Sequence, residues 1–64
     1  MLELYAKNPK QLDICLRLLY AEKIDFTVSV REDHKGKVFY AIMVNLDNDD
    51  DRIAIREKYR LMTQ

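Results

Sequence analysis

Seven consecutive apolar residues, from Val38 to Val44, constrain the fold of this 64-residue chain more than any other feature. A strand with one solvated face carries polar side chains at alternate positions, whereas a strand covered or contacted on both faces does not. The run is also far shorter than the roughly 20 apolar residues that a membrane-spanning helix needs. It therefore predicts the central strand of a small sheet.

Two further segments alternate between apolar and polar residues, which is typical of half-buried strands. The segment MLELYA places apolar side chains at positions 2, 4 and 6, and FTVSVR places them at positions 26, 28 and 30. The loop EDHKGK, between the second and third strands, holds the only glycine. We expect Gly36 to adopt the left-handed conformation that closes a hairpin.

Two helices are predicted from capping signals and from apolar spacing. Asn8 suits an N-cap, Pro9 the first helical position and Gln11 the capping-box partner, so a helix should run from Pro9 to about Lys23. Near the C-terminal end, Ile55, Tyr59 and Met62 recur at helical spacing. The predicted order of elements is β-α-β-β-α.

This order predicts an α+β fold with three strands in the order 1-3-2 and two helices on one face of the sheet. A right-handed crossover joins the first two strands, and the apolar third strand lies antiparallel between them. The arrangement is similar to a ferredoxin-like fold that lacks its last strand. The chain forms a single domain, and a domain of this size buries only about 60% of its unfolded surface, which leaves a thin stability margin.

Four aspartates and Asn48 occupy positions 47 to 51, directly before the second predicted helix. The aspartates at 47, 49 and 51 alternate as the first ligands of an EF-hand loop do. That pattern fails because Arg52 stands where the loop needs glycine and Lys58 where it needs glutamate. We interpret the cluster as the capped, negatively charged start of a helix, with weak binding of Mg²⁺ or Ca²⁺ as the alternative.

No set of residues in the sequence points to catalysis or to a cofactor. The single histidine, His34, lies in the predicted hairpin loop, and the single cysteine, Cys15, lies on the apolar side of the first helix. A general base needs a cleft and a companion group, and a buried cysteine behaves as a small hydrophobe. We expect a non-enzymatic protein with no cofactor and no metal. With one cysteine and no signal-peptide pattern, we expect it in the cytoplasm.

Surfaces that the predicted fold leaves uncovered are the candidates for function. The sheet face away from the helices should show Tyr5, Phe39 and Met43 beside Arg31 and Lys37. Ile14 and Leu18 form a second apolar stripe on the first helix, which either packs on the second helix or contacts a partner. Ile53 lies opposite the apolar stripe of the second helix. The residues expected to contact a partner are therefore Tyr5, Arg31, Lys37, Phe39, Met43, Ile14, Leu18 and Ile53.

We predict a regulator or inhibitor that docks on a larger protein and forms a homodimer, for which the unpaired edge of the first strand is one candidate interface. Small neutral proteins of this kind are often encoded by phages or other mobile elements. The alternative is binding of RNA or single-stranded DNA, with bases stacked on Tyr5 and Phe39 as in RRM domains. Eleven basic residues balance eleven acidic ones, so the chain lacks the positive charge that favours nucleic acid or membrane surfaces.

Overall fold

The computed structural model describes residues 1–64 and contains the five predicted elements in the predicted order. Their bounds are β1 Leu2–Ala6, α1 Pro9–Ala21, β2 Phe26–Glu32, β3 Val38–Val44 and α2 Asp49–Met62. The strands form one sheet in the order β1-β3-β2, and both pairings are antiparallel. The α+β fold with the apolar strand at its centre is therefore confirmed.

The start of α1 is built as its sequence predicts. The side-chain oxygen of Asn8 accepts a hydrogen bond of 2.9 Å from the main-chain N–H of Gln11. The Gln11 side chain reaches back to the N–H of Lys7, also at 2.9 Å, one residue earlier than in a standard capping box. The first bond satisfies an N–H group that the helix leaves without a partner, and the second ties the residue before the cap to the first turn.

The end of α1 differs from the prediction, because the helix stops at Ala21 and not near Lys23. Lys23 adopts a left-handed conformation with φ of 57°. Its N–H donates to the carbonyl of Tyr20, and the N–H of Ile24 donates to the carbonyl of Leu19, which together form a Schellman motif. This position usually holds glycine, so no residue here marks the helix end in the usual way.

The hairpin between β2 and β3 is closed by Gly36, whose φ of 80° confirms the predicted left-handed conformation. Asp33, at the start of the same turn, stabilises it through side-chain hydrogen bonds. One oxygen of its side chain accepts hydrogen bonds of 2.9 Å from the N–H groups of Lys35 and Lys37. The loop therefore has a defined shape despite its exposure.

The core lies between one face of the sheet and the two helices. Its buried members are Leu2, Leu4, Ala6, Cys15, Leu18, Leu19, Ile42, Val44, Ile55 and Tyr59. Tyr59 on α2 adds a polar tie, because its hydroxyl donates to the main-chain carbonyl of Tyr5 at 2.8 Å. Burial raises the pKa of Tyr59 to about 12, so this hydroxyl keeps its proton under ordinary conditions.

The helix layer covers only the start of β2, which corrects the expectation that β2 is half-buried along its length. At the start of β2 the ring of Tyr20 lies edge-on to Phe26, with centroids 5.4 Å apart. Farther along the strand Val28 is 36% exposed and Val30 is 68% exposed. The physical reason is that α1 packs on β1 and α2 is bonded to β1, so both helices are anchored at the opposite edge of the sheet.

Lys23→Gly should stabilise the protein by about 0.5–1 kcal/mol, because glycine adopts the left-handed conformation without the penalty of a Cβ atom. Urea unfolding followed by circular dichroism measures the change. Arg17→Gly is the matched control, since Arg17 lies in the middle of α1 and its replacement should destabilise by about 1 kcal/mol. Equal losses in both variants would contradict the role assigned to Lys23.

Candidate interaction surface

The sheet face opposite the helices is not covered by any other element of the chain. Residues that lie directly opposite one another in neighbouring strands share a face, and the register places Tyr5, Ala41 and Ser29 in one row across the sheet. We call this surface the open face. Its members are Glu3, Tyr5, Thr27, Ser29, Arg31, Phe39, Ala41 and Met43.

Two aromatic rings form the most prominent feature of the open face. The ring centroids of Tyr5 and Phe39 are 6.0 Å apart and the planes are inclined by 59°, within the range of favourable aromatic pairs. Tyr5 is 52% exposed, while Phe39 and Met43 are half-buried. The predicted neighbourhood of Tyr5 and Phe39 on this face is confirmed.

Glu3 links the aromatic pair to the charged part of the open face. The Tyr5 hydroxyl donates a hydrogen bond to the Glu3 carboxylate, which raises the pKa of Tyr5. The same carboxylate lies 4.0 Å from the guanidinium of Arg31, which reaches across the central strand from β2. Glu3 is thus the shared partner of Tyr5 and Arg31, a role that depends on side-chain conformations, which sequence spacing does not specify.

A hollow of about 330 Å³ adjoins the aromatic pair where β1 ends beside the hairpin. Tyr5, Phe39, Lys7 and Lys37 line it, together with Ala6, Asp33 and Val38. The sequence analysis missed Lys7, although a signal was present. Continuing the register of β1 and β3 by one residue places Lys7 opposite Phe39.

The second stripe of α1 packs mainly inside the molecule, toward α2. Leu18 is only 8% exposed and belongs to the core, and Ile14 is half-buried against that core. Ile14 also lines a groove with Met62 at the end of α2. Packing between α1 and α2, the alternative considered for this stripe, accounts for both residues. Ile53 differs, because it is 63% exposed on the outer side of α2.

The aspartate cluster forms the first turn of α2. The side-chain oxygen of Asn48 accepts hydrogen bonds from the N–H groups of Asp50, at 2.8 Å, and Asp51, at 3.2 Å. The cap is thus the asparagine, while three aspartates fill the first turn and the Asp49 carboxylate pairs with Arg52. No three acidic, histidine or cysteine side chains in the structure converge in a way that could hold a metal ion.

The two other residues considered for chemistry lie apart from the open face. His34 is exposed in the hairpin loop. Cys15 is completely buried in the core, and this burial raises the pKa of its thiol to about 11, so little of the reactive thiolate forms near neutral pH.

Neither helix is long and apolar enough to pass through a bilayer. A scan against protein-family models and searches of curated proteins and of solved structures found no match to this chain.

Asn48→Ala should destabilise the protein by about 1 kcal/mol, because two N–H groups at the start of α2 lose their acceptor. Asp50→Ala is the matched control and should change stability by only a few tenths of a kcal/mol, since its charge acts through the helix dipole alone. Chemical unfolding of both variants provides the comparison. A larger loss for Asp50→Ala would mean that the aspartates, and not the asparagine, hold the start of the helix.

Proposed function

We propose that the protein is a non-enzymatic regulator or inhibitor that docks on a larger protein through the open face and functions as a homodimer. The observation that carries the proposal is the aromatic pair of exposed Tyr5 and half-buried Phe39, beside Met43, on a face that no other element of the chain covers. Polar and charged side chains surround this apolar centre. An apolar patch with a polar rim is the usual composition of a protein interface.

The proposed mechanism is steric: the open face occupies a surface of the target and blocks or redirects it. Aromatic anchors carry much of the energy in such interfaces, so Tyr5 and Phe39 are the residues expected to dominate. The hydrogen bond from the Tyr5 hydroxyl to Glu3 restrains the ring before binding. A side chain that is already held in place loses less conformational entropy when the complex forms.

Charge on the open face favours a partner with both polar and apolar groups over a strongly anionic one. Arg31 is balanced by Glu3 at 4.0 Å, and the whole chain carries no net charge at neutral pH. Lys7 and Lys37 beside the hollow are the remaining cations near Tyr5. They fit contacts to a carboxylate or carbonyl at the edge of a protein interface.

Binding of single-stranded RNA or DNA is the second candidate, and one observation favours it. The hollow combines two aromatic rings with Lys7 and Lys37, which are the groups that stack bases and contact phosphates. The carboxylate of Glu3 lies at the same face and would repel phosphates. Nucleic-acid affinity depends strongly on positive charge, so we rank this candidate below protein binding.

The double substitution Tyr5→Ala with Phe39→Ala should abolish capture of the target while leaving the fold intact. Tagged wild-type protein and the variant are each used to capture proteins from host lysate, and species lost with the variant are identified and titrated as purified proteins. The matched control is Leu61→Ala, which removes an exposed apolar side chain of α2 that lies outside the open face. We expect the control to bind the purified target as the wild type does.

Circular dichroism of each variant separates loss of binding from loss of fold. Unchanged binding of the purified target by the Tyr5 and Phe39 variant would contradict the proposal. Saturable binding of labelled single-stranded RNA that weakens steeply with salt, and that is lost in the same variant, would favour the nucleic-acid alternative.

A further inference from the structure

The sheet has two edges, formed by β1 and β2. In each edge strand the main-chain N–H and C=O groups of alternate residues point outward, and the hydrogen bonds to β3 show which residues these are. In an antiparallel pair, alternate residues direct both their N–H and C=O groups to the same neighbour. Asn45 donates to the carbonyl of Asp25, and Asp33 donates to the carbonyl of Lys37. Odd-numbered residues of β2 therefore bond to β3, and the even-numbered residues Phe26, Val28, Val30 and Glu32 direct their main-chain groups to the free edge.

The same alternation of hydrogen bonds shows that some outward main-chain groups of β1 already have a partner within the chain. Even-numbered residues of β3 bond to Leu2, Leu4 and Ala6, so the main-chain groups of Glu3 and Tyr5 point outward. The outward carbonyl of Tyr5 already accepts the hydrogen bond from Tyr59 of α2. The first-strand edge, which the sequence analysis considered for dimerisation, is thus partly closed by the chain itself.

The β2 edge lacks the features that usually prevent strand pairing. Such edges are commonly protected by proline, lysine, a bulge or a covering helix. The strand FTVSVRE contains no proline or lysine, and its two charged residues stand at its C-terminal end. Its pairing with β3 is regular over seven residues, and α1 reaches only its first residue, Phe26. Val28 and Val30 are exposed beside the free edge. Unpaired main-chain N–H and C=O groups and exposed apolar side chains therefore lie together along the β2 edge, where a second strand could pair.

One register allows two copies of β2 to pair along their whole length. A two-fold axis at Ser29 pairs all seven residues, and each register centred on another residue pairs fewer. This register sets Val28 against Val30 of the second copy on the helix side, and Thr27 against Arg31 of the second copy on the open face. No like charges face each other within the strand. Apolar and β-branched cross-strand pairs of this kind stabilise a sheet.

We infer that a second copy of this chain pairs with the β2 edge, antiparallel and two-fold symmetric about Ser29, to form a continuous six-stranded sheet. Each of the four outward residues donates one hydrogen bond and accepts one. The exposed valines of both copies then pack together. This inference deepens the homodimer part of the proposed function and is independent of docking through the open face.

The pairing also has a consequence for docking. Because the two-fold axis is perpendicular to the sheet, both open faces lie on the same side of the dimer. Strands are spaced by about 4.8 Å, so the two β1 strands, each carrying a Tyr5, lie about 24 Å apart. A dimer of this form presents two docking surfaces to one target or to two adjacent copies of it.

A cysteine at position 29 tests the register directly. Facing residues that do not hydrogen-bond to each other have Cα atoms about 4.5 Å apart, which is within the range of a disulfide. Ser29→Cys should therefore form a covalent dimer on mild oxidation, seen by non-reducing electrophoresis. Thr27→Cys is the matched control, because its two copies would lie about 13 Å apart, four residues along the strand. The parent protein should not cross-link, since Cys15 is buried.

Proline at each edge tests which strand pairs. Val30→Pro removes an N–H that points outward, so no hydrogen bond within the chain is lost and the fold should persist. Light scattering should then give twice the chain mass of 7.7 kDa for the parent and a single chain mass for this variant. Glu3→Pro is the equivalent change at the β1 edge and should leave the dimer intact.

Any of three results would overturn the inference. The parent could be monomeric at high concentration, or Ser29→Cys could cross-link no faster than Thr27→Cys. The third such result is a dimer that is lost in Glu3→Pro but kept in Val30→Pro. These outcomes are distinct from failure of the proposed docking. Monomeric Val30→Pro retains Tyr5 and Phe39, so its binding to the purified target reports on the open face alone.

Discussion

The hydrogen bond from the Tyr59 hydroxyl to the main-chain carbonyl of Tyr5 joins the last element of the chain to the first. A neutral hydrogen bond of this kind contributes about 1 kcal/mol, and it acts together with burial of the aromatic ring. Its greater importance is positional, because it holds α2 at the β1 edge. With α1 also packed on β1, the helix layer is displaced from β2. The exposed edge of β2 follows from this displacement.

Two separate surfaces remain after the helices are placed. One is the open face, where Tyr5 and Phe39 form an aromatic pair beside the group of Glu3 and Arg31. The other is the edge of β2, where main-chain groups and exposed valines coincide. A 64-residue domain has little core to stabilise it, and pairing of a second copy adds to that stability without using the open face. Docking and dimerisation can therefore occur together in the proposed regulator.

The strand order and the approximate elements could be predicted from the sequence because each depends on local patterns. The apolar run at 38–44 required a central strand, and Asn8 with Gln11 marked the start of α1. The end of α1 could not be predicted, because a lysine adopts the left-handed position that glycine usually takes. The exposure of Val28 and Val30 was also missed. It depends on where two helices rest across the sheet, and periodicity indicates only which face a residue shares.

The shared face of Tyr5, Phe39 and Met43 could be predicted, whereas the contacts within the open face could not. Alternation alone placed Tyr5, Phe39 and Met43 together, whereas the contacts of Glu3 with Tyr5 and Arg31 depend on side-chain conformation. For the stripe of Ile14 and Leu18, the shared face was predicted but its contact was left open between the second helix and a partner. A helical wheel cannot distinguish a surface that faces a second helix from one that faces a partner, and here Leu18 is buried within the molecule.

Amide hydrogen exchange, followed by NMR at low and high protein concentration, tests most directly whether the β2 edge is free within one chain. At low concentration the N–H groups of Val28 and Val30 should exchange rapidly, since neither has an acceptor in the chain. At high concentration both should become protected, while the N–H of Glu3 stays unprotected. Protection of Val28 and Val30 at every concentration, or protection gained by Glu3 in their place, would contradict this account.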